Sequence, residues 1–252
     1  MRDKFWLSPD VVGHYKNEFG SRPFQLRLSI RVRVFIVCLL GDAEKTGIRY
    51  HYTQLWYIYW QVITKKLNLS VTLSSSIKHN PAAIWAHLDP VMKDILTLYP
   101  DVTTVHFCSD GPFSQYRQKQ NFYLSSTLTF NYGFKAMTWS FFKAGHGKGP
   151  ADGIGGYLKR SADDMVARGP DISNADNFYE CLKDVSKIKL FMISQEDIQN
   201  IENHIPSTLQ THSGTRKLHQ IFSKDHGKLH YRNLSCFCKR GFCDTQSVSA
   251  ST

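Results

Sequence analysis

The order of strand-like and helix-like segments between residues 31 and 142 constrains the fold of this chain most. Residues 31–40 alternate and then become continuously apolar, residues 102–108 alternate and are rich in β-branched side chains, and residues 136–142 form a third such run. Runs of this kind predict β-strands, and the first is typical of a strand in the middle of a sheet. A helical pattern separates the first two, which predicts an α/β fold with a mixed or parallel sheet flanked by helices.

Local signals mark where the helices begin and end. Asn80 and Pro81 predict a helix start, because Asn is a favoured N-cap and Pro fits the first helical position. Pro100 predicts the end of this helix, and Pro90 predicts a kink within it. Weaker patterns predict one or two strands in 49–73, a strand at 188–193, and helices near 115–128, 158–166, 178–182 and 196–204.

These patterns divide the chain into three regions. Residues 1–30 show no clear period, residues 31–205 carry the α/β core, and residues 206–252 form a small C-terminal extension with a cysteine cluster and a Ser/Thr-rich tail. With 252 residues, of which 42% are hydrophobic, the chain is long and apolar enough to bury a sizeable core.

The charge of the chain indicates a polyanionic partner. A net charge of +10 favours nucleic acid first and an anionic membrane surface second. The longest apolar stretch, residues 34–40, is too short to span a membrane, and early charges argue against a signal peptide. The six cysteines do not form the regular framework of a secreted disulfide protein. A reducing compartment, the cytosol or the nucleus, is therefore expected.

Three acidic residues stand at the ends of predicted elements. Asp42 and Asp110 follow predicted strands, and Asp152 precedes a predicted helix. If the fold brings them together, their oxygens could hold two Mg²⁺ or Mn²⁺ ions, which stabilise the attacking and leaving oxygens in phosphodiester chemistry. Each residue also has a simpler interpretation, as a turn acid for Asp42 and Asp110 or as an N-cap for Asp152.

A glycine-rich segment, "GHGKGPADGIGG", joins the third predicted strand to the next helix. It matches neither of the common nucleotide-binding glycine motifs. Its backbone N–H groups, with Lys148 beside them, could still bind a phosphate at the helix start. His146 could be a ligand or a proton shuttle, or an ordinary loop histidine.

The C-terminal extension contains a possible set of zinc ligands. Cys236, Cys238 and Cys243 follow His226 and His230 in the sequence. Zinc needs four thiolate or imidazole ligands, and these five residues could supply them. The spacing is not a standard zinc motif, so free thiols in a small terminal hairpin remain the alternative.

Two segments resemble transposon-derived proteins of animal genomes. "FCSDGPFSQYRQKQNFYL" is similar to a pattern "FSDG-x-x-SQY[KR]", and "WSFFKAGHGKGPADGIGGYLKRSAD" to "W-x-F-F-x-x-x-HGKG-x-x-DG-x-GG-x-x-KR". The resemblance covers roughly residues 74–245, including "SCFC", and is weak before residue 74. It implies an RNase H-like core of the DDE transposase type, acting on DNA with bound metal ions.

The resemblance also implies roles for individual residues. Asp110 corresponds to the carboxylate after the fourth strand of the core, Asp152 is a candidate third acid, and His146 lies near it. A group of polar residues that follow Asp110 is expected to contact the sugar–phosphate backbone of DNA. This group comprises Gln115, Tyr116, Arg117 and Lys119. For Arg117 and Lys119 the alternative is a solvated helix face.

The first acid departs from the family pattern. The motif "DF[AS]EN" does not occur, and its closest remnant is the segment from Gly41 to Lys45, which contains Asp42 but lacks the aromatic residue. Two functions therefore stay open: a nuclear, metal-dependent transposase-like enzyme, and a decayed or domesticated copy that binds nucleic acid or another partner without catalysis. Association of the chain with further copies of itself is a third expectation.

Overall fold

The computed structural model of the chain describes residues 33–41, 54–62, 68–109, 115–141, 150–169, 171–184, 188–211, 214–235 and 248–251. The strands are β1 Arg33–Gly41, β2 Gln54–Val62, β3 Asn68–Ser74, β4 Thr104–Ser109, β5 Ala136–Phe141, β6 Lys189–Met192, β7 Gln220–Ser223, β8 Lys228–Arg232 and β9 Val248–Ser251. The α-helices are α1 Pro81–Leu98, α2 Lys119–Asn131, α3 Pro150–Val166, α4 Ala175–Leu182 and α5 Gln195–Glu202.

The nine strands of these residues form one mixed sheet in the order β6-β3-β2-β1-β4-β5-β7-β8-β9. β1, β2 and β3 are neighbours in an antiparallel meander, whereas β4 and β5 add in parallel beside β1. β6 runs parallel to β3, and β7, β8 and β9 add in antiparallel order beside β5. The strands β1, β3, β4, β5 and β6 therefore all end at the same side of the sheet, which we call its carboxyl end.

The connections between parallel strands explain why helices cover both faces. α1 leads from β3 to β4 and α2 leads from β4 to β5, and both steps move across the sheet in the same direction. α3 and α4 lead back from β5 to β6, in the opposite direction. Because crossover connections are right-handed, the first pair packs on one face and the second pair on the other.

The larger apolar core lies between the sheet and the pair α1 and α2. Phe107 of β4 and Trp139 of β5 stack with ring centroids 4.8 Å apart, and Trp85 of α1 meets both rings edge-on. Phe122 and Leu124 of α2 are buried in the same cluster. Aromatic packing of this kind stabilises a core beyond the area that it buries.

A second core lies on the opposite face, under α3 and α4. Ile154 and Leu158 of α3 and Phe178 of α4 pack there with Cys108 of β4 and Val71 of β3. β4 therefore presents Phe107 to one core and Cys108 to the other, as expected for a strand that is covered on both faces.

The start of α1 shows how local sequence determines this architecture. Oδ1 of Asn80 accepts a hydrogen bond from the Ala83 N–H at 2.9 Å, and Pro81 occupies the first helical position. Nδ2 of Asn80 also donates to Glu202 at the end of α5, over 3.0 Å. This hydrogen bond, with a second from Lys78, holds the pKa of Glu202 below its usual range. One residue thus caps α1 and ties it to α5.

Most elements expected from the sequence are confirmed, and β1 lies in the interior of the sheet. Two helices begin elsewhere: α2 begins at Lys119 rather than near residue 115, and α3 begins at Pro150, so Asp152 lies within the first turn of α3 instead of preceding it. The sheet also continues into the C-terminal extension, because β7 pairs with β5. The predicted N-terminal segment, residues 1–30, lies outside the part of the chain described above.

None of the helices in the ranges given above is both long enough and apolar enough to cross a membrane.

His87 makes the stability of the fold depend on pH. Its ring is fully buried in α1, and Nδ1 lies 2.7 Å from Oγ1 of Thr72 on β3. Burial lowers the pKa of His87 from 6.5 to about 3. Between these values the unfolded chain binds a proton that the folded chain does not bind. The free energy of unfolding should therefore fall with decreasing pH in this window, with a contribution of about 1.4 kcal/mol per pH unit.

The His87→Gln variant should lose this contribution, because Gln does not titrate. Urea unfolding between about pH 6.5 and 4 should then show a shallower dependence of unfolding free energy on pH than in wild type. His204→Gln, at an exposed ring after α5, is the control and should follow wild type. Parallel curves for wild type and His87→Gln would show that burial of this ring is not linked to protonation.

Candidate functional site at the carboxyl end of the sheet

Three adjacent parallel strands end together at the centre of the carboxyl end. β1 ends at Gly41, β4 at Ser109 and β5 at Phe141, and β4 pairs with both of the others. The prediction that these three strands lie in one sheet is confirmed. Asp42 and Asp110 follow Gly41 and Ser109 directly in the sequence, and both acids lie outside the described residues.

The chain leaves β4 and β5 toward opposite faces. β4 is followed by α2, on the face of the larger core, and β5 is followed by α3, on the face of the second core. When the helices that follow two neighbouring parallel strands lie on opposite faces of an open α/β sheet, ligands usually bind in a crevice at the carboxyl ends of those strands. His146 and Lys148 belong to the connection from β5 to α3 and lie outside the described residues.

Asp152 lies in the first turn of α3. Two residues further along the helix, Ile154 is buried in the same cluster as Cys108 of β4. Cys108 in turn precedes Asp110 by two residues. The start of α3 and the end of β4 therefore both border the second core, on one face of the sheet.

The segment that follows Asp110 is more buried than its polar sequence predicts. Tyr116 has no exposed surface, and its ring lies 5.7 Å from Trp139, centroid to centroid. Gln115 and Arg117 each retain 9% exposure. The guanidinium of Arg117 lies over the Phe141 ring at 5.2 Å, and burial lowers the pKa of Arg117 below its usual value. Tyr116 is thus a core residue, and its ring is out of reach of a nucleic acid in this conformation.

Lys119 is the exposed member of this predicted DNA-contacting group. It lies in the first turn of α2, and its Nζ donates to the carbonyl oxygen of Leu209 at 3.0 Å. This contact ties the start of α2 to the segment between α5 and β7. A lysine at this position places a positive charge on the surface near the end of β4, where a phosphate could replace the carbonyl as its partner.

A row of buried polar side chains crosses the sheet near its carboxyl end, on the face of α3. Cys108, Ser140, Gln220 and Arg232 are paired successively across β4, β5, β7 and β8. Nε2 of Gln220 donates to Oγ of Ser140, and Nη1 of Arg232 donates to Oε1 of Gln220, both over 3.0 Å. The guanidinium of Arg232 also lies 4.1 Å from the centroid of the Phe222 ring. Burial of a guanidinium is costly, and the hydrogen bond to Gln220 offsets part of that cost.

This row could not be predicted from the sequence. Gln220 and Arg232 belong to strands of four and five residues, which are too short to show a period. The available signal was the single polar residue Ser140 between Trp139 and Phe141, which alternation places on the face opposite these two aromatic residues.

The two histidines of the predicted zinc site lie on different faces of the sheet. His226 is in the turn after β7, with its ring 6.2 Å from Phe130 of α2. His230 stacks on Phe222 at 4.9 Å, on the face opposite α2. Within the described ranges no three His, Cys, Asp or Glu residues are grouped for a metal ion. The three cysteines, which are Cys236, Cys238 and Cys243, lie outside those ranges, so zinc binding by them stays a prediction.

Comparison with known proteins identifies a family for this chain. A family model with the description "Domain of unknown function (DUF8701)" matches residues 50–235. This range contains β2 to β8 and every α-helix given above. No curated protein and no solved structure matches the chain.

Arg117 is buried and Lys119 is exposed, so replacing them should affect the stability of the fold differently. Arg117→Gln should lower the free energy of unfolding by about 1–2 kcal/mol, because packing and the cation–π contact with Phe141 are lost. Lys119→Gln, at an exposed position, should change it by less than about 0.5 kcal/mol. Urea unfolding at neutral pH measures both values. Equal stabilities of the two variants would mean that Arg117 does not contribute to the core.

Proposed function

The chain belongs to the family described as "Domain of unknown function (DUF8701)", and we propose that it is a transposase-derived protein whose RNase H-like core cleaves or joins DNA phosphodiesters with bound metal ions. The observation that carries this proposal is the path of the chain through the sheet. An antiparallel meander is followed by two parallel strands beside β1, which gives the order β3-β2-β1-β4-β5. This is the order expected of an RNase H-like sheet.

The motif resemblance and this strand order support each other. The resemblance assigns Asp110 to the residue after the fourth strand of the core, and Asp110 directly follows Ser109, the last residue of β4. It assigns the third acid to Asp152, which lies at the start of the helix that follows β5. The sequence pattern and the backbone path therefore both support the proposal.

The donor set of the proposed site fits a hard divalent cation. Asp110 and Asp152 offer carboxylate oxygens, which Mg²⁺ and Mn²⁺ prefer, with Asp42 as the proposed first acid. When bound, the metal ions supply charge stabilisation at the attacking and leaving oxygens. In this proposal Asp42, Asp110 and Asp152 would hold the ions, and His146 would carry the proton.

The proposed polyanionic partner is DNA, which gives the protein a nuclear site of action. The net charge of +10 favours association with a phosphate backbone. Lys119 is exposed next to the proposed site, and Lys148 belongs to the glycine-rich connection before α3. These two cations are the proposed phosphate contacts, whereas Arg117 is largely buried and contributes to the core.

A non-catalytic function on the same fold is the second candidate. One observation favours it: the first acid lacks the family motif, and Asp42 stands in the segment Gly41 to Lys45 without the expected aromatic residue. A protein that kept the sheet and its cationic surface could bind nucleic acid without holding metal ions. Metal binding therefore separates the two candidates.

Asp110→Asn tests the proposed metal site. Mg²⁺ or Mn²⁺ should raise the thermal midpoint of wild type, and this rise should vanish in the variant, because one charge has been removed from the ligand set. Cleavage of supercoiled plasmid should fall by orders of magnitude. Without metal the variant should be as stable as wild type or slightly more stable, because clustered carboxylates repel one another.

Asp101→Asn is the matched control for this test. Asp101 is an exposed acid that precedes β4, at the opposite end of the strand, and its replacement should leave the metal response intact. If wild type and Asp110→Asn respond equally to metal, or if neither responds, Asp110 is a turn residue and the non-catalytic candidate stands.

Lys119→Gln tests the proposed contact with DNA. The slope of log affinity against log salt concentration should become shallower by about one, as expected when one phosphate contact is lost. Affinity should fall by a similar factor for DNA of different sequences. Lys93→Gln is the control, because Lys93 is exposed on α1 and pairs with Asp89 at 2.8 Å. An unchanged salt slope in Lys119→Gln would remove this residue from the proposed interface.

A further inference from the structure

Phe141, the last residue of β5, contacts two parts of the chain that each carry an exposed lysine. The guanidinium of Arg117 lies over its ring at 5.2 Å, two residues before Lys119 at the start of α2. The Phe141 N–H donates to the carbonyl oxygen of His219 at 2.9 Å, two residues after Lys217. Both lysines are exposed. The end of β5 therefore lies between the chain near one proposed DNA contact and the chain near a second surface cation.

The register of the sheet places Lys217 just beyond the strand ends. Ser109, the last residue of β4, pairs with Phe141, and Phe141 contacts His219. Because β7 runs antiparallel to β5, the residues that precede Gln220 continue past the carboxyl end of the sheet. Neighbouring strands lie about 4.8 Å apart, so the start of β7 is about 10 Å from the end of β4.

A tight turn fixes the backbone at Lys217. Gly214 has a φ of +79°, in the left-handed region, and precedes the 3₁₀ helix Thr215–Lys217. The Lys217 N–H donates to the carbonyl oxygen of Gly214 at 2.9 Å. The next residue, Leu218, retains 4% exposure and belongs to the larger core. The backbone of Lys217 is therefore held next to the core while its side chain stays exposed.

We propose that Lys217 is a phosphate contact for duplex DNA bound at the carboxyl end of the sheet, an inference that rests on the proposed function. Duplex DNA carries one negative charge per about 1.7 Å of its axis. A duplex that is held at the end of β4 thus presents about six charges over the roughly 10 Å to the start of β7. Lys217 neutralises one of these charges and extends the interface from β4 across the end of β5 to β7.

Lys217→Gln should make the binding of a fluorescently labelled DNA duplex less sensitive to salt. Each phosphate contact contributes about 0.9 to the slope of log affinity against log salt concentration. The slope should therefore become shallower by about 0.9 in this variant and by about 1.8 in the double variant with Lys119→Gln. Lys217→Arg should keep the wild-type slope, because Arg keeps the positive charge. Fluorescence anisotropy between about 50 and 200 mM salt measures these slopes.

Lys228→Gln is the matched control. Lys228 is exposed, and like Lys217 it precedes a leucine that is buried in the larger core, Leu229. It is the first residue of β8, so it lies at the opposite end of the hairpin that β7 and β8 form. Both variants lower the net charge of +10 by one, so a difference between their slopes reports position and not overall charge. Lys228→Gln should keep the wild-type slope, and both variants should keep the wild-type thermal midpoint.

The outcomes separate failure of this inference from failure of the proposed function. A shallower slope in Lys217→Gln than in Lys228→Gln supports the contact. If wild type binds the duplex and the two variants have equal slopes, Lys217 is a solvated surface lysine and the inference is wrong, while the proposed function stands. If wild type does not bind the duplex, or binds it with an affinity that is independent of salt, DNA is not the partner and both fail.

Discussion

The parallel pairing of β1, β4 and β5 is the constraint on which the rest of the structure depends. In this pairing Val37 lies opposite Cys108, and Cys108 lies opposite Ser140. Parallel neighbours need crossover connections, and right-handed crossovers place α1 and α2 on one face and α3 on the other once the chain reverses direction after β5. The place where an open α/β sheet is expected to bind a ligand, between the ends of β4 and β5, therefore follows from strand direction and the handedness of the connections.

The side chains of β5 are apolar on one face of the sheet and polar on the other. Toward α1 and α2, β5 presents Met137, Trp139 and Phe141, which belong to the larger core. Toward the other face it presents Thr138 and Ser140, which hydrogen-bond to His106 and Gln220. Dispersion and apolar burial on the first face account for most of the stabilisation, because polar contacts add little beyond the cost of desolvating their groups. The second face is free to carry polar groups near the end of the sheet.

Sequence signals predicted the helices and strands whose ends and periods are set by neighbouring residues. They did not predict the strands and buried residues whose structure depends on partners far along the chain. Asn80 and Pro81 predicted the start of α1, and alternation predicted β4, because caps and periods are encoded within a few residues. β7 forms because Trp139 pairs with Ile221, far along the chain, and no local period reports such a partner. The burial of Tyr116 likewise depends on Trp139 and not on its polar neighbours. The end of β4, just before Asp110, was predictable from the sequence, whereas the start of α3 at Pro150, ahead of Asp152, was not.

A stable fold is no evidence for catalysis in this protein, because the proposed catalytic carboxylates would not stabilise the fold. The larger core is built from apolar and aromatic side chains of the described strands and helices. Carboxylates gathered at one place repel one another in the absence of metal, so a chain that lost its first acid would fold at least as well as one that kept it. A site of this kind lowers stability in exchange for function, and its loss leaves the sheet and its aromatic core intact. The two candidate functions therefore differ in the response of the folded chain to divalent metal, and the apo protein would look the same under either of them.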